Sequence, residues 1–325
     1  MANSNKNPKP RRVGVLPLPG FALMSYACVV EPLRAANLLG EKTLYEIVNI
    51  STDTSAPRSS GAALITAQAH IGDTLHLDDL FVIAGGHPET FADKNVLGWI
   101  AQMARKVTLL GGVSAGPVIL AKAGVMAGRR MTVHWEHAAA LAEISPDLAI
   151  EHSLYVIDRD RVTCAGGTAP LDLMHALIAA QHSTAFARKV SDWFMHTEIR
   201  PAGGQQRAGL VERVDTTNPA ILDAVEVMEN HVADVLTLPQ LAHISGVSPR
   251  QLNRLFTEKL GLPTIRYYRV LRLVRAQNLL RNSSMQITEI ALATGFASSA
   301  HFSSAYARHF QVAPSLDRLR SKSLI

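Results

Sequence analysis

Near the C-terminus one short pattern occurs twice: Leu238, Leu241, Ala242, Gly246 and Val247 return 49 positions later as Ile287, Ile290, Ala291, Gly295 and Phe296. In each copy an apolar i, i+3, i+4 face closes on a glycine, which tolerates the positive φ of a tight turn between short helices. A second amphipathic segment follows each turn, over 248–260 and 298–310. This is the pattern of a tandem helix-turn-helix, in which the second helix of each pair has the dimensions to enter a major groove. One amphipathic helix pair is an ordinary way to build a core. Two aligned copies joined by a basic segment over 263–281 are not accounted for so simply.

Charge supports that reading by where it sits. The chain carries a formal charge of +5, and residues 219–325 hold all of it, with twelve Lys and Arg against seven Asp and Glu; residues 1–218 balance at twenty against twenty. Between Ser248 and Arg281 lie eight cations, Arg250, Arg254, Lys259, Arg266, Arg269, Arg272, Arg275 and Arg281, against Glu258 alone. Such a stripe neutralises phosphates by counterion release, whereas the same stripe on an isolated helix is merely a solvated face.

A length of 325 residues suits two domains, and 47% hydrophobic with 18% charged residues excludes disordered and fibrous classes. The two cysteines, Cys28 and Cys164, each sit in an apolar stretch, so no disulfide framework is expected. The start, MANSNKNPKPRR, is polar, and Pro17, Pro19 and Gly20 interrupt the apolar run behind it, which argues against a secretory leader. No run of about 20 apolar residues exists to span a bilayer, and a cytoplasmic protein is expected.

Residues 12–198 alternate short apolar runs with helical periods. Strands are expected over 13–16, 45–50, 80–84, 107–110 and 161–164, and helices over 22–39, 91–104, 117–123, 136–144, 169–181 and 185–196. That alternation predicts an α/β fold, a parallel sheet flanked by helices, followed by an all-α region after Pro219. Residues 201–218 lose the rhythm and contain a Gly-Gly pair, as a linker would. The sharpest local motif is Gly112-Val113-Ser114-Ala115-Gly116, a G-x-S-x-G between an apolar strand and a helix, the arrangement of a nucleophile elbow. Small residues also favour such turns for steric reasons alone, and no acid followed by a histidine completes a hydrolase order beyond Ser114.

The segments VGVLPLPGFALMSYACVVEPLRAAN, FVIAGGHP, GGVSAGPVILAKAGVMAGRRMTVHWEH and RDRVTCAGGTAPLDLMHALI resemble the PfpI-type, glutamine-amidotransferase-like domain over residues 12–198. IALATGFASSAHFSSAYARHFQVAPS resembles the AraC/XylS-type DNA-binding domain over residues 219–325. Together they resemble the GlxA-type transcription regulators, and FALMSYACVVEPLRAAN and TVHWEH are most similar to regulators of glycine betaine, carnitine and related amine catabolism. The resemblance implies a flavodoxin-like sheet, with a tail over 1–11, a ligand-sensing domain over 12–200, a linker over 201–218 and a tandem helix-turn-helix domain over 219–325. It implies double-stranded promoter DNA, a small-molecule effector and RNA polymerase as partners, a homodimer, no membrane and no cofactor.

Two departures bear on chemistry. Catalytic relatives place a cysteine at the elbow and an acid early in the first helix, where this chain has Ser114 and Ser25; His134 does fall in the histidine slot. A serine hydroxyl needs an oriented base that is itself held by an acid. The expectation is therefore a retained pocket without catalysis, the alternative being a serine hydrolase or amidase with a DNA-binding appendage. Tyr26, Trp135 and Phe21 offer π faces to a cation, Glu31 and Glu136 offer counter-charge, and Gly86, Ser114 and His134 complete the expected pocket. Against this, core is the commoner fate of an isolated tryptophan such as Trp135 beside a strand, His134 also reads as a core histidine, and Glu136 as a helix opener. His134 and His137, three apart, lack the further ligands of a zinc site, and no metal is expected. Thr168 is expected to cap the helix that Pro170 opens.

For DNA, the first copy presents Arg250, Gln251, Asn253 and Arg254 at the start of its second helix, with Arg suited to guanine and Asn or Gln to adenine. The second offers Ser299, His301, Ser303 and Ser304, with serine at position 304 where the resemblance implies arginine, so phosphate and shape contacts are expected there. Gln311 replaces a usual glycine and Asp317 a usual aromatic, which leaves the last helix cap open.

Overall fold

The computed structural model describes residues 9–283 and 285–323, so the tail expected over 1–11 lies outside the described residues as far as position 8. Its last residue, Arg11, is no tail: it opens the first strand and grips Asp79 through Nε and Nη2, each at 2.6 Å. The chain divides into two compact units, 1–206 and 207–325. The stretch 201–218 read as a linker is shared between them. Ala202 O accepts from Leu154 N at 2.9 Å and Gln206 Nε2 donates to Ser153 O at 2.8 Å in the first unit, while Leu210–Val214 forms a short helix in the second.

In the first unit the strands are β1 (Arg11–Pro17), β2 (Tyr45–Ser51), β3 (Ala69–His70), β4 (Asp79–Ala84), β5 (Leu109–Ser114), β6 (Arg130–Thr132), β7 (Ala149–Glu151), β8 (Tyr155–Asp158) and β9 (Arg161–Cys164). The helices are α1 (Leu23–Leu39), α2 (Lys94–Met103), α3 (Gly116–Lys122), α4 (Trp135–Ile144), α5 (Ala169–Gln181) and α6 (Thr184–Trp193), with a 3-10 turn at Pro88–Thr90. Seven strands form one sheet in the order β3-β2-β1-β4-β5-β9-β8, and β6 pairs with β7 separately. The sheet is parallel except at its edge, where β8 runs antiparallel to β9.

Alternation along the strands builds a core on each face. Leu80 and Val82 of β4 join Leu16, Leu110, Ile100 and Leu120 on one side. Phe81 and Ile83 join Val13, Val15, Val113, Leu173 and Ile178 on the other. Strand order reverses beside β1, so the carboxyl ends of β1 and β4 open onto the crevice where such sheets bind ligands.

The expected strand over 107–110 is displaced to Leu109–Ser114, because the small residues of the elbow extend the ladder as far as Ala84↔Ser114. Helix α2 begins at Lys94 rather than 91, since Asp93 accepts from Asn95 N and Val96 N and fixes the start there. The short strands β3, β6, β7 and β8 carry too few residues for a period to register.

The second unit is helical throughout: α7 (Leu210–Val214), α8 (Pro219–Asn230), α9 (Leu238–Ile244), α10 (Pro249–Leu260), α11 (Thr264–Asn282), α12 (Ile287–Ala293), α13 (Ser299–Phe310) and α14 (Pro314–Ser323). Both repeat glycines take positive φ, 66° at Gly246 and 69° at Gly295. Leu241, Ala242, Leu252, Phe256 and Tyr268 close the core of the first helix pair with Ile221 and Met228 of α8. Among the described residues no helix is long and apolar enough to cross a membrane.

Candidate functional site

At the end of β5, Ser114 takes φ 61°, a left-handed conformation that a non-glycine residue adopts only under constraint. The constraint is close packing. A Cβ on Gly116 would lie 2.2 Å from Val82 O, and one on Gly166 would lie 2.9 Å from Ser114 Oγ. The turn Gly166-Gly167 after β9 is therefore seated on the elbow. Ser25, fully buried in α1, accepts a hydrogen bond from Gly167 N at 3.0 Å. The residue aligned with the acid thus reaches the elbow's own neighbour, but it brings a hydroxyl.

His134 joins this site through its backbone, N donating to Ser114 O at 3.3 Å. It stands at the N-cap of α4, where Nδ1 accepts from Glu136 N at 3.3 Å. That bond occupies the ring nitrogen a catalytic base would offer to an orienting acid, and burial lowers the imidazole pKa, with Glu136 opposing. Among the described residues no hydrogen bond joins Ser114 Oγ to an imidazole or a carboxylate.

The other expected pocket residues separate. Trp135 is 39% exposed, which overturns its reading as core. Tyr26 is buried against Phe21, ring centroids 5.5 Å apart, and its hydroxyl donates to Asn49 Oδ1 at 2.9 Å, so it is a core side chain rather than an open π face. Glu31 lies on the exposed side of α1 paired with Arg34 at 2.6 Å. Glu136 is half-buried in the first turn of α4, and Gly86, φ 60°, is exposed after β4. Thr168 stands at the N-cap of α5 without capping it: its hydroxyl accepts from Arg200 Nη2 at 2.9 Å. Arg200 also holds the fully buried Asp172, which accepts from His196 Nε2 at 2.8 Å as well. Cys28 and Cys164 are buried thiols with pKa values raised to about 11 and about 12 by burial, the opposite of activation. No group of three or more metal-binding side chains converges among the described residues.

A second cluster beside the elbow escaped the sequence reading. Glu89 in the 3-10 turn is buried, with His87 Nδ1 3.2 Å from Oε1. His137 packs near His134, ring centroids 6.0 Å apart, and burial lowers its pKa to about 3. The signal was present: a histidine and a glutamate two residues apart, directly after the glycine pair at the carboxyl end of β4.

In the helical unit the two second helices start alike. Ser248 and Ser298 accept from Gln251 N and His301 N at 3.3 and 3.2 Å. Beyond that the polar residues divide into scaffold and surface. Gln251 Oε1 accepts from Ser248 N at 3.0 Å in a capping box, and Asn253 Oδ1 accepts from Thr264 N at 3.0 Å, capping α11. The oxygen of each amide is thus engaged in the scaffold, while Gln251, Arg250 and Arg254 are exposed on α10 and Asn253 is half-buried. Arg250 is exposed and has no partner among the described residues; Arg254 reaches only Glu258, at 3.8 Å across solvent. In α13, Ser304 and His301 are exposed, Ser299 and Ser303 half-buried, and the His301 ring stands edge-on to Phe296 at 5.7 Å.

The basic stripe is likewise not all surface. Arg272 donates to Thr294 O at 2.8 Å and to Gly295 O at 2.5 Å, with its guanidinium 4.4 Å above the Phe296 ring. Arg281 Nη2 binds Asp317 at 3.0 Å. Two of the eight cations are therefore structural ties, while Arg266 and Arg269 remain exposed along α11.

Comparison with known proteins matches both units. Residues 11–180 fit the model of the DJ-1/PfpI family, and residues 241–320 fit a helix-turn-helix domain. The chain is 42% identical over 329 residues to the HTH-type transcriptional regulator GlxA of Rhizobium meliloti, covering 99% of this chain and 100% of that protein. It is 36% identical over 313 residues to the HTH-type transcriptional regulator GbdR of Pseudomonas aeruginosa, covering 96% and 85%. Among solved structures it is similar to an AraC family transcriptional regulator from Pseudomonas putida, with TM-score 0.52 and 26% identity over 57% of this chain and 100% of that one.

Proposed function

The chain belongs to the GlxA-type AraC-family transcriptional regulators, a DJ-1/PfpI domain followed by a helix-turn-helix domain, and from that premise we propose that it is a cytoplasmic, ligand-responsive activator of a small-molecule catabolic operon. Its first unit senses a small amine, the class that includes betaine- and carnitine-like compounds, without turning it over. Its second unit binds promoter DNA as part of a homodimer and recruits RNA polymerase. Sequence is read chiefly by Arg250 and Arg254, with the serines of α13 on backbone and shape.

One observation carries the sensor reading. The elbow keeps its strained geometry and its buried neighbour, while both residues that would do chemistry, Ser114 and Ser25, are hydroxyls. Strain at a site without an activated nucleophile is consistent with a binding pocket inherited from a catalytic one. The strained serine is also what favours the hydrolase reading, and one experiment separates the two. Full-length protein is assayed for amidase and esterase turnover and, in parallel, for amine-dependent binding to its own upstream promoter. Promoter binding that shifts with an amine, and no turnover sensitive to Ser114→Ala, is the expected result; turnover abolished by Ser114→Ala would establish the hydrolase.

A further inference from the structure

Beside the elbow the protein buries more hydrogen-bond acceptors than it satisfies. Neither Oε1 nor Oε2 of Glu89 has a hydrogen-bond partner, although the side chain is only 3% exposed. His137 Nδ1, equally buried, has none either. The nearest side-chain nitrogen, His87 Nδ1, stands 3.2 Å from Oε1, an ion-pair contact when the imidazole is protonated. The neighbouring cation, Lys122 of α3, directs its ammonium at the backbone carbonyls of Pro88 and Glu89 instead, at 3.4 and 2.5 Å. Leaving a buried acceptor without a hydrogen bond is costly, and more so for a charge, so a protein that keeps a carboxylate this way is built to receive donors from elsewhere. The cluster is continuous with the elbow, because His137 N donates to His134 O at 2.8 Å and His134 N to Ser114 O.

We propose that Glu89 is the cation-recognising carboxylate of the effector site, and that the effector is an organic cation with N–H donors, a guanidinium or a primary ammonium, rather than a quaternary ammonium. The inference rests on the sensor reading above and narrows it. A quaternary ammonium has no donor and is held by a cage of π faces. Here Tyr26 and Phe21 pack on each other in the core, the Tyr26 hydroxyl is bound to Asn49, and of the aromatics expected at the site only Trp135 is exposed. The other expected counter-charge, Glu31, is paired with Arg34. A carboxylate whose two oxygens lack hydrogen-bond partners accepts two parallel N–H bonds from a guanidinium, or N–H bonds from an ammonium. Burial raises the Glu89 pKa, with its backbone hydrogen bond, His87 and Lys122 opposing, and an arriving cation favours the ionised form and meets a partner that water does not screen.

The test is titration calorimetry on the full chain with agmatine and 4-aminobutyrate as N–H cations and choline and carnitine as quaternary ones, for the native protein and Glu89→Gln. At least one N–H cation is expected to bind the native protein and to bind Glu89→Gln at least tenfold more weakly. Without ligand, the variant should melt at the same temperature or higher, since it removes the desolvation cost of a buried carboxylate whose oxygens lack hydrogen-bond partners. Quaternary compounds binding both proteins alike, N–H cations binding both alike, or a variant that melts lower with amine binding intact would each overturn the inference. Silence from all four compounds overturns it too, while promoter binding by the same preparation leaves the regulator reading standing; loss of promoter binding would sink that reading instead.

Discussion

The two helix-turn-helix copies share a frame and differ in what locks it. In the first, Phe256 of α10 meets Tyr267 of α11 edge to face, centroids 5.4 Å apart, and Gly261 ends α10 at φ 70°. Fifty positions on, the same three places hold Tyr306, Asp317 and Gln311. The aromatic contact becomes a hydrogen bond from the Tyr306 hydroxyl to Asp317 Oδ2 at 2.5 Å, and Gln311 takes φ 57° in place of glycine. Asp317, 5% exposed, also accepts from Gln277 Nε2 at 3.0 Å and from Arg281 Nη2. The second copy is thus held by charge and polar ties drawn from the connecting helix. At the same place the first is held by an aromatic contact, and it keeps Arg250 and Arg254 at the surface. A cation committed inside the protein is not available to DNA, and this division underlies the assignment of base reading to the first copy.

The sharpest way to break that contrast is Asp317→Ala. It strips the acceptor from Tyr306, Gln277 and Arg281 at once and should cost about 3 kcal/mol in chemical denaturation. A loss under 1 kcal/mol would mean that the polar lock is ornamental. The lock should also respond to acid. Burial raises the Asp317 pKa, but its hydrogen bonds from Tyr306, Gln277 and Arg281 outweigh that and leave it lowered. A depressed carboxylate contributes stability above its unfolded pKa that is lost as pH falls through the folded one. Transplanting the first copy's pair, Tyr306→Phe with Asp317→Tyr, should recover part of the loss, and a double-mutant cycle measures the coupling.

Next in size is Arg272→Ala, which removes the tie on the end of α12 and the guanidinium over Phe296. The expected cost is about 2 kcal/mol, and Arg272→Lys should not restore it, because a point charge reproduces neither the fork nor the stacking. Arg269→Ala, exposed on the same helix, should leave stability unchanged within about 0.5 kcal/mol while weakening DNA binding. The smallest effect belongs to Gln311→Gly. It should stabilise by about 0.5–1 kcal/mol, relief of a left-handed glutamine less the Gln311 Nε2 bond to Arg308 O at 2.8 Å. Gly261→Gln should have the opposite sign.

Much of this architecture was legible in the chain. The repeat located α9, α10, α12 and α13, and the elbow motif foretold the turn at Ser114, because periodicity and glycine act locally. What stayed hidden depends on partners distant in sequence. Asn253 reads as a free amide until Thr264 N is found on its Oδ1, and Arg272 reads as a phosphate contact until the end of α12 arrives under it. Tyr26 and Trp135 exchange the expected environments for the same reason, burial being set by neighbouring elements. Glu89 drew no reading at all, since nothing local tells a solvated carboxylate from a buried one. Asp317 alone left a trace: aligning the copies with each other shows Phe256 becoming Tyr306 just where Tyr267 becomes Asp317, a compensating exchange.

Whether the first copy reads sequence while the second supplies a rigid mount is tested most directly by a specificity ratio. Full-length protein is titrated by fluorescence anisotropy against its own upstream promoter and a scrambled duplex at one fixed salt concentration. Arg250→Ala with Arg254→Ala should lower promoter affinity by about 1–3 kcal/mol for each arginine that pairs with a base, and bring the ratio close to one, with scrambled-duplex binding reduced far less. Ser303→Ala with Ser304→Ala should leave the ratio within about twofold, as befits residues that meet backbone and shape. A ratio that survives the arginine pair, or collapses with the serine pair, would contradict the assignment.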